Sequence, residues 1–304
     1  MGKKDKPKGI QTGENNNLIT ERIESQQLNT NIELIQTLIT QDNSLPLENY
    51  TLDQSGITIC SSRGGTIPSL ILDGVEIFYN DPVKRNDFSK SIREGFWMGP
   101  QAGPFTQEQN EQYGYNLKQH GFLRDLKRDK KEIEGNKISY EFNTNQDTLK
   151  AFPHNFTTTQ EINLGKKGAY IGLIIENKSD GVIRFAPGHH TYYKVSPDQK
   201  TNIKLSDNMG VNDEMKTKRV SGQETIKIKN PGSCQVFIPG TGLLQLNFDE
   251  KFKDLRLRTE KEKGFVCIEP VVCHPNERNN SSIIITPKEQ IKIGFTITLL
   301  SKDK

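Results

Sequence analysis

Histidines are the first residues to consider for proton chemistry, because an imidazole can act as acid or base near neutral pH. The chain has five of them: His120, His154, His189, His190 and His274. His189 and His190 stand side by side at the end of an apolar run, and neighbouring side chains of a strand point to opposite faces. Only one of the two can therefore enter a given pocket. A hydrogen-bonded structural role and general acid catalysis are both open to it.

Glu269 is the second candidate, since it interrupts the apolar run of residues 265–272. A carboxylate in such a strand needs partners, because losing its hydration is costly unless partners replace the water. Two interpretations follow. Glu269 forms an ion pair with Arg256 or Arg258 on the preceding strand, or it faces a polar cleft as a general base.

Two loop segments add groups that could bind a ligand. Residues 91–105 are punctuated by Gly and Pro and carry Arg93 and the only tryptophan, Trp97. An aromatic platform beside a guanidinium suits the apolar face and hydroxyls of a sugar, or a phosphate. In residues 119–124, His120 precedes a glycine that permits close backbone approach.

Metal and nucleotide chemistry find no support in the motifs. Cys267, Cys273 and His274 are close in sequence, but their spacing matches neither a Cys-x-x-Cys pair nor a His-x-x-x-His pair. No glycine-rich phosphate loop is present in the sequence. The sequence therefore predicts chemistry without a metal or cofactor.

The elements that would position these residues are strands. After Pro46 the chain consists of short β-branched and aromatic runs separated by Gly, Asn and Asp, which is typical of an all-β sandwich. We predict strands at residues 57–61, 66–72, 137–142, 155–163, 170–177, 182–187, 224–229, 233–238, 255–259, 265–270 and 291–299. No internal repeat or long linker divides residues 47–304, so one domain is predicted there.

Residues 1–46 are predicted to be an N-terminal extension. Residues 1–17 are polar and are expected to be a disordered tail. Over residues 18–41, apolar side chains at mostly helical steps predict one or two amphipathic helices, either docked on the domain or binding a partner. These side chains are Ile19, Ile23, Leu28, Ile32, Ile35 and Ile39.

Composition excludes several classes of protein. Hydrophobic residues make up 32% and charged residues 26% of the chain, which suits antiparallel sheets with one polar face. The net charge of +3 is too balanced for a nucleic-acid-binding protein. The N-terminus lacks the apolar stretch of a secretory signal, and no run approaches the ~20 apolar residues of a membrane span. The four cysteines fit reduced thiols, so we expect a cytoplasmic protein. We also expect a monomer or weak dimer, without membrane or nucleic-acid partners.

Five segments, taken in chain order, resemble the aldose 1-epimerase (mutarotase) superfamily, and particularly its branch that acts on hexose 6-phosphates. They are Gly64-Gly65-Thr66-Ile67-Pro68-Ser69-Leu70, Ile92-Arg93-Glu94-Gly95 with Pro100, Gln119-His120-Gly121-Phe122-Leu123-Arg124, His190-Thr191-Tyr192-Tyr193 and Cys267-Ile268-Glu269-Pro270. The resemblance implies a galactose-mutarotase-like β-supersandwich whose concave face holds a sugar or sugar phosphate.

The same resemblance assigns roles to the two candidates. His190 becomes the acid at the ring oxygen, Glu269 the base at the anomeric hydroxyl, and His189 a structural residue. Reference pKa values near ~6.5 for His and ~4.3 for Glu bracket mild pH, so modest tuning would give a protonated His190 and an ionised Glu269. The implied reaction is the interconversion of α and β anomers by ring opening and reclosure.

The resemblance also places the binding residues. His120 and Arg93 would bind the sugar, and Arg124 either touches ligand or supports the fold through an ion pair. Asp207 and Asp213 are both candidates for a later pocket aspartate, and Asp213 is assigned to substrate binding.

The substrate and the class of protein stay open at this stage. Glu94 stands where the phosphate-sugar branch has Gly, and a carboxylate beside Arg93 would favour a free aldose, whereas Arg63 and Arg124 favour a phosphate. The alternative to an isomerase is a non-catalytic carbohydrate-binding protein of the same fold. A third reading is a scaffold that acts through the helices of residues 18–41.

Overall fold

The structure, a computed structural model, describes residues 33–38, 45–80, 87–89, 92–210, 225–273 and 275–303. Residues 32–304 form one compact unit. The strands are β1 (Glu33–Leu38), β2 (Leu47–Leu52), β3 (Ser55–Cys60), β4 (Thr66–Leu72), β5 (Val75–Glu76), β6 (Phe96–Met98), β7 (Lys130–Glu134), β8 (Lys137–Asn143), β9 (Phe156–Leu164), β10 (Gly168–Asn177) and β11 (Ile183–Phe185). They continue with β12 (Gly188–His190), β13 (Tyr192–Lys194), β14 (Lys204–Leu205), β15 (Ile226–Lys229), β16 (Ser233–Ile238), β17 (Gly242–Phe248), β18 (Asp254–Arg258), β19 (Phe265–Val271), β20 (Ile283–Ile285) and β21 (Gln290–Lys302).

Within the described residues, helices are few and short. They are α1 (Gln107–Tyr113), α2 (Gln146–Ala151) and α3 (Arg278–Ser281). None of the helices in the described part of the chain has the length and apolar character needed to cross a membrane. Each of the eleven predicted strands coincides with an observed strand to within three residues at either end. The all-β prediction is therefore confirmed.

The helical prediction for residues 18–41 is wrong where the structure describes that segment. Strand β1 pairs antiparallel with β2, placing Glu33 opposite Thr51 and Leu38 opposite Leu47. The edge of a sheet presents unpaired backbone groups, and pairing with them outweighs the modest helix propensity of six residues. The predictions for residues 1–32 and 39–44 lie outside the described residues.

The strands pair antiparallel in four sheets. The five-stranded sheet has the order β1-β2-β3-β4-β5, and the eight-stranded sheet the order β14-β16-β17-β21-β10-β9-β8-β7. Strands β11 and β20 form a two-stranded sheet. The six-stranded sheet has the order β15-β18-β19-β12-β6, and β13 joins it through β19.

The main core lies where the six-stranded and eight-stranded sheets face each other. Trp97 of β6 is fully buried there, with its ring 6.4 Å from Phe295 of β21 and 6.5 Å from Phe252. Leu257 and Ile268 turn to the same core. Each fully buried side chain of this size contributes ~1.5–3 kcal/mol relative to an exposed position, so this packing fixes which face of the six-stranded sheet is inward.

The six-stranded sheet carries a second apolar cluster on its opposite face, which we call the site face. The cluster consists of Ile92, Phe96, Met98, Ala102, Tyr192, Phe265, Cys267 and Val271. Because side chains alternate along a strand, every residue that neighbours a core residue on β6, β12 or β19 belongs to this face. Polar groups on the site face are thus held on a packed apolar floor.

A tight backbone contact joins Gly99, just after β6, to the segment that contains His120 and Gly121. Gly99 and Gly121 form a parallel bridge, and the N–H of Gly99 donates to the carbonyl of His120 at 3.0 Å. Both His120 and Gly121 have positive φ, 67° and 68°. A Cβ at Gly121 would overlap the carbonyl oxygen of Gly99, so only glycine fits there.

Substituting Gly121 should therefore destabilise the fold far more than the backbone strain of a positive φ alone would. We expect Gly121→Ala to cost about 3–5 kcal/mol, adding steric overlap to the strain. Gly135→Ala is the matched control, because Gly135 has φ 58° and nothing within 4 Å of its Cβ position; it should cost ~1–2 kcal/mol. Urea unfolding followed by the fluorescence of the single buried Trp97 measures both. Equal losses would contradict the steric argument.

Candidate active site

Two neighbouring strands bring His190 and Glu269 together. His190 ends β12, Glu269 lies in β19, and the two strands pair with Gly188 opposite Val271. Nε2 of His190 lies 3.4 Å from Oε1 of Glu269. The two residues are only 5% and 3% exposed. The acid and base expected from the sequence therefore meet on one face, withdrawn from bulk water.

The adjacent histidine turns the other way. His189 packs in the main core, with its ring 5.2 Å from Trp97 and 4.9 Å from Phe295. Its Nδ1 shares a 2.7 Å hydrogen bond with Oγ1 of Thr191. His189 thus has a structural environment, and His190 is the histidine that reaches the site face.

Aromatic rings hold the imidazole of His190 from the side. It stacks on Tyr192 with centroids 4.4 Å apart and planes 7° from parallel, and it packs against Phe96 at 5.1 Å. The sequence pointed instead to Trp97 as the aromatic platform, and that prediction is wrong. Trp97 alternates with Phe96 along β6 and is therefore directed into the core.

His120 enters the site from the tight contact at Gly99. Its ring centroid lies 5.5 Å from that of His190. The N–H of Gly103 donates to its Nδ1 at 3.1 Å, so the hydrogen of the neutral ring is on Nε2. His120 is thereby oriented to donate a hydrogen bond from Nε2.

Burial and nearby cations keep His120 neutral. Burial, followed by the charges of Arg124, Arg256 and Arg258, lowers the pKa of His120 to about 3. The ring is therefore a hydrogen-bond donor and acceptor at neutral pH, and not a cation.

The electrostatics of the His190–Glu269 pair differ from the expectation. Burial raises the pKa of Glu269 to about 7, although Arg256 and Arg258 act in the opposite direction. Burial also lowers the pKa of His190 well below 6.5, and His120 and Arg258 add to this effect. We expected a protonated His190 beside an ionised Glu269. The order is reversed, because burial disfavours the charged form of each group, and on the acidic side of pH 7 the proton of the pair lies on Glu269.

Arg93 lies beside the site and is partly exposed. Its Nη2 pairs with Glu260 at 3.1 Å, and Arg258 reaches the same carboxylate at 3.7 Å. Glu94 was expected to neutralise the charge near Arg93. The structure buries Glu94, where it accepts a 3.1 Å hydrogen bond from Thr66, and the acid that pairs with Arg93 is Glu260.

Arg124 lies beside the site and also contacts an acidic residue of the fold. Its Nε lies 3.7 Å from Asp125, and its guanidinium lies over the ring of Phe96 at 5.3 Å. Asp125 is also 3.8 Å from Arg63, which is almost fully buried. Arg124 is therefore at the site, whereas Arg63 lies beneath it in the fold.

Strand β18 contributes two arginines that the sequence analysis treated only as ion-pair partners of Glu269. Arg256 stands opposite Glu269 and Arg258 opposite Cys267, so both lie on the site face. Neither forms an ion pair with Glu269 among the described residues, since the ion-pair contact of Glu269 is with His190. Their spacing of two on a strand was the signal that both share the face of Glu269.

Of the two candidate pocket aspartates, the structure describes only Asp207. Asp213, assigned to substrate binding, lies outside the described residues, as does His274. Asp207 lies exposed in a 3₁₀ turn after β14, at the edge of the eight-stranded sheet, away from the site face.

A metal does not suit the donor atoms at the site. His190, Cys267 and Glu269 bring a nitrogen, a sulfur and an oxygen within 4.8 Å of one another. Arg256 and Arg258 act on the same groups and repel a cation. Burial raises the pKa of the Cys267 thiol well above its usual 9.0, which disfavours the thiolate that a metal requires. The arrangement is suited to proton transfer.

Comparison with known proteins agrees with the geometry. A family model described as aldose 1-epimerase matches residues 50–270. No curated protein sequence matches the chain.

Several solved structures share the fold. The Slr1438 protein from Synechocystis sp. PCC 6803 superposes with a TM-score of 0.73 at 22% identity, covering 87% of this chain and 99% of that one. A galactose mutarotase-like protein from Clostridium acetobutylicum gives 0.68 at 16% identity, covering 88% and 98%. A galactose mutarotase related enzyme from Lactobacillus acidophilus gives 0.64 at 15% identity, covering 85% and 98%.

At these identities the superpositions establish the fold, a galactose-mutarotase-like β-sandwich. The family match covers most of the chain and contains both His190 and Glu269. The chain belongs to the aldose 1-epimerase family.

Proposed function

We propose that this protein interconverts the α and β anomers of a sugar through acid/base ring opening by His190 and Glu269. The observation that carries the proposal is the 3.4 Å contact between these two side chains on a buried sheet face. Family membership supports the same reaction class. The reaction needs one proton delivered to the ring oxygen and one removed from the anomeric hydroxyl, so one acid and one base suffice.

On the acidic side of pH 7 the pair holds one proton, and that number matches the reaction. Moving this proton from Glu269 to His190 gives a carboxylate and an imidazolium without adding or removing charge. Glu269 then takes the anomeric proton while His190 protonates the ring oxygen, and the ring opens. After the aldehyde rotates, the two residues exchange roles as the ring closes on its other face.

The surrounding residues would bind the sugar. His120 offers Nε2–H to a hydroxyl, because Gly103 occupies its Nδ1. Tyr192 and Phe96 provide apolar surface beside His190. Arg93 and Arg124 are placed to contact hydroxyls or an anionic group of the substrate.

Charge at the site favours a phosphorylated aldose over a free one. Four arginines act on the site residues: Arg93, Arg124, Arg256 and Arg258. Two carboxylates, Glu260 and Asp125, pair with three of them. Because four guanidinium groups gather around the reacting pair, we infer that the substrate is an aldose 6-phosphate. Such a substrate fits the cytoplasmic location expected from the sequence.

Removing either member of the pair should abolish most of the activity. We expect Glu269→Gln and His190→Asn each to slow anomer exchange on the order of 100-fold or more, because each removes one proton-transfer step. Magnetisation-transfer NMR on glucose, galactose and glucose 6-phosphate measures the exchange.

His154→Asn is the matched control for these variants. His154 lies half-buried against Phe152 and Tyr115, remote from the pair in the fold, and its loss should leave the exchange rate unchanged. Sugar binding without accelerated exchange in the wild type would support the non-catalytic carbohydrate-binding alternative and contradict this proposal.

The pH dependence follows from the single shared proton. The groups that face Glu269 are His190, Cys267, Tyr192, Arg256 and Arg258, and burial shifts the pKa of the thiol and the phenol upward, away from neutrality. His190 takes up a second proton only well below pH 6.5, and Glu269 loses its proton near pH 7. We therefore expect kcat/KM to be level on the acidic side of pH 7 and to fall about tenfold per unit on the alkaline side.

Glucose is the probe for this profile, because it carries no phosphate that titrates in the same range. The spontaneous rate is subtracted at each pH. A rate that rises from pH 7 to pH 9 would mean that an ionised Glu269 works with a neutral His190, contrary to the shared-proton mechanism.

The proposed substrate class predicts a dependence on salt. Glucose 6-phosphate should have a kcat/KM at least ~10-fold above that of glucose, and raising sodium chloride from ~0.02 to ~0.5 M should reduce the advantage, since salt screens exposed charges. Equal values for the two sugars at low salt would contradict a phosphorylated substrate and leave the free aldose.

A further inference from the structure

Arg256 occupies a position that nothing in the sequence motifs assigned. It is the direct partner of Glu269 across the β18–β19 ladder. Residues opposite each other in an antiparallel pair lie on the same face, with Cβ atoms about 4.5–5.5 Å apart. Because β19 lies between β18 and β12, Arg256 flanks Glu269 on the side away from His190.

The guanidinium of Arg256 is buried without a partner. The residue is 8% exposed, and its Nη2 is fully buried with no hydrogen bond. Among the residues that the structure describes, no hydrogen bond or ion pair reaches this side chain. A guanidinium has five N–H donors, and burying them unpaired is unfavourable unless a ligand satisfies them.

The two acidic residues with the strongest electrostatic effect on Arg256 contact other side chains. Glu269 and Asp254 are the charges that act on it most strongly. Glu269 contacts His190, and Asp254 lies 3.3 Å from Lys227. Arg256 and Glu269 therefore lie opposite each other on neighbouring strands, with no hydrogen bond or ion pair between them in the described structure. An oxygen atom placed between them would accept a hydrogen bond from Arg256 and give its proton to Glu269.

We propose that Arg256 is a third catalytic residue, whose guanidinium donates a hydrogen bond to the anomeric oxygen of the sugar during ring opening. The inference rests on the proposed function. As the O1–H bond breaks, the proton passes to Glu269 and negative charge develops on O1. The bond between C1 and the ring oxygen breaks with its electron pair going to the ring oxygen, which takes a proton from His190, while the C1–O1 double bond forms. Arg256 keeps its protons throughout and stabilises O1.

The neighbouring arginine does not share this property. Arg258 lies two residues further along the same face, but its side chain is 41% exposed and faces Glu260 at 3.7 Å. Lys227, one strand further out, contacts both Asp254 and Glu277. Of the cationic side chains that the structure describes on β15 and β18, Arg256 is the one whose buried donor has no hydrogen-bond partner.

Three variants test the role of Arg256. Arg256→Met should lower kcat for anomer exchange by about 100-fold with little change in KM, because the hydrogen bond strengthens as charge develops on O1. Arg256→Lys, which keeps the charge, should recover part of the loss. Arg256→Ala should be rescued by added guanidinium ion. Arg184→Ala is the control, since Arg184 is exposed on β11, away from the site face, and should leave kcat unchanged.

A second readout separates this role from a purely structural one. Without the positive charge at position 256, the pKa of Glu269 should rise, so the alkaline limb of kcat/KM should move to higher pH in Arg256→Met and stay in place in Arg256→Lys. Retention of kcat within threefold in Arg256→Met overturns the proposal. So does a loss of kcat that tracks a loss of thermal stability, with no guanidinium rescue and no shift of the limb.

The two proposals fail differently. A wild-type protein that accelerates exchange of no sugar overturns the proposed function, and the role of Arg256 with it. An active wild type that is disabled by Glu269→Gln but unaffected at Arg256 overturns the role of Arg256 alone. If Arg256→Met does not fold, the guanidinium rescue of Arg256→Ala and the kcat of Arg256→Lys decide the question.

Discussion

The burial of one carboxyl group, that of Glu269, governs the arrangement around it. An ionised carboxylate at 3% exposure would have to replace all of its hydration from protein partners. Burial instead favours the protonated carboxyl and raises its pKa to about 7, and the imidazole of His190 lies 3.4 Å away. Arg256 and Arg258 oppose the shift, so Glu269 titrates close to neutrality and not far above it. A group with that pKa can both release and accept a proton at neutral pH, as reversible anomer exchange requires.

The alternation of side chains along short strands places His190 and Glu269 on the same face. Trp97 and His189 enter the core, so their neighbours Phe96 and His190 must face the other way. The same rule applied to β19 sends Ile268 inward and Cys267 and Glu269 outward. A register shift of one residue would exchange these faces. The main core prevents such a shift, because it would turn Trp97 out of the core and bring polar side chains of the site face beside Phe295.

The long strands were predictable from sequence and the geometry of the site was only partly so. Runs such as residues 66–72 and 233–238 have strand composition and length, and their bounds were predicted to the residue. Strands β6, β12 and β13 have three residues each, too few for a period to be read, so the faces of Phe96 and Trp97 could not be assigned. The motif order identified His190 and Glu269. Reference pKa values could not reveal their reversed order of protonation, because that order comes from burial. The strand Glu33–Leu38 was missed because its partner, the edge of β2, is a tertiary feature.

Polar groups around the site divide into those that hold the backbone and those that are left for a ligand. Arg278, buried on α3, donates to the carbonyls of Ala102 and Pro104 at 2.8 and 2.9 Å. Between these carbonyls, Gly103 donates to His120, so the orientation of His120 is fixed before any sugar arrives. In contrast, Nδ1 of His190 and Nη2 of Arg256 are buried with no hydrogen-bond partner among the described residues. A site built in this way pays its ordering cost on folding, so the binding energy of the sugar is not used in orienting side chains such as His120. The unsatisfied groups lie on both sides of Glu269, where protons must move, and this distribution is what a rigid acid/base site requires.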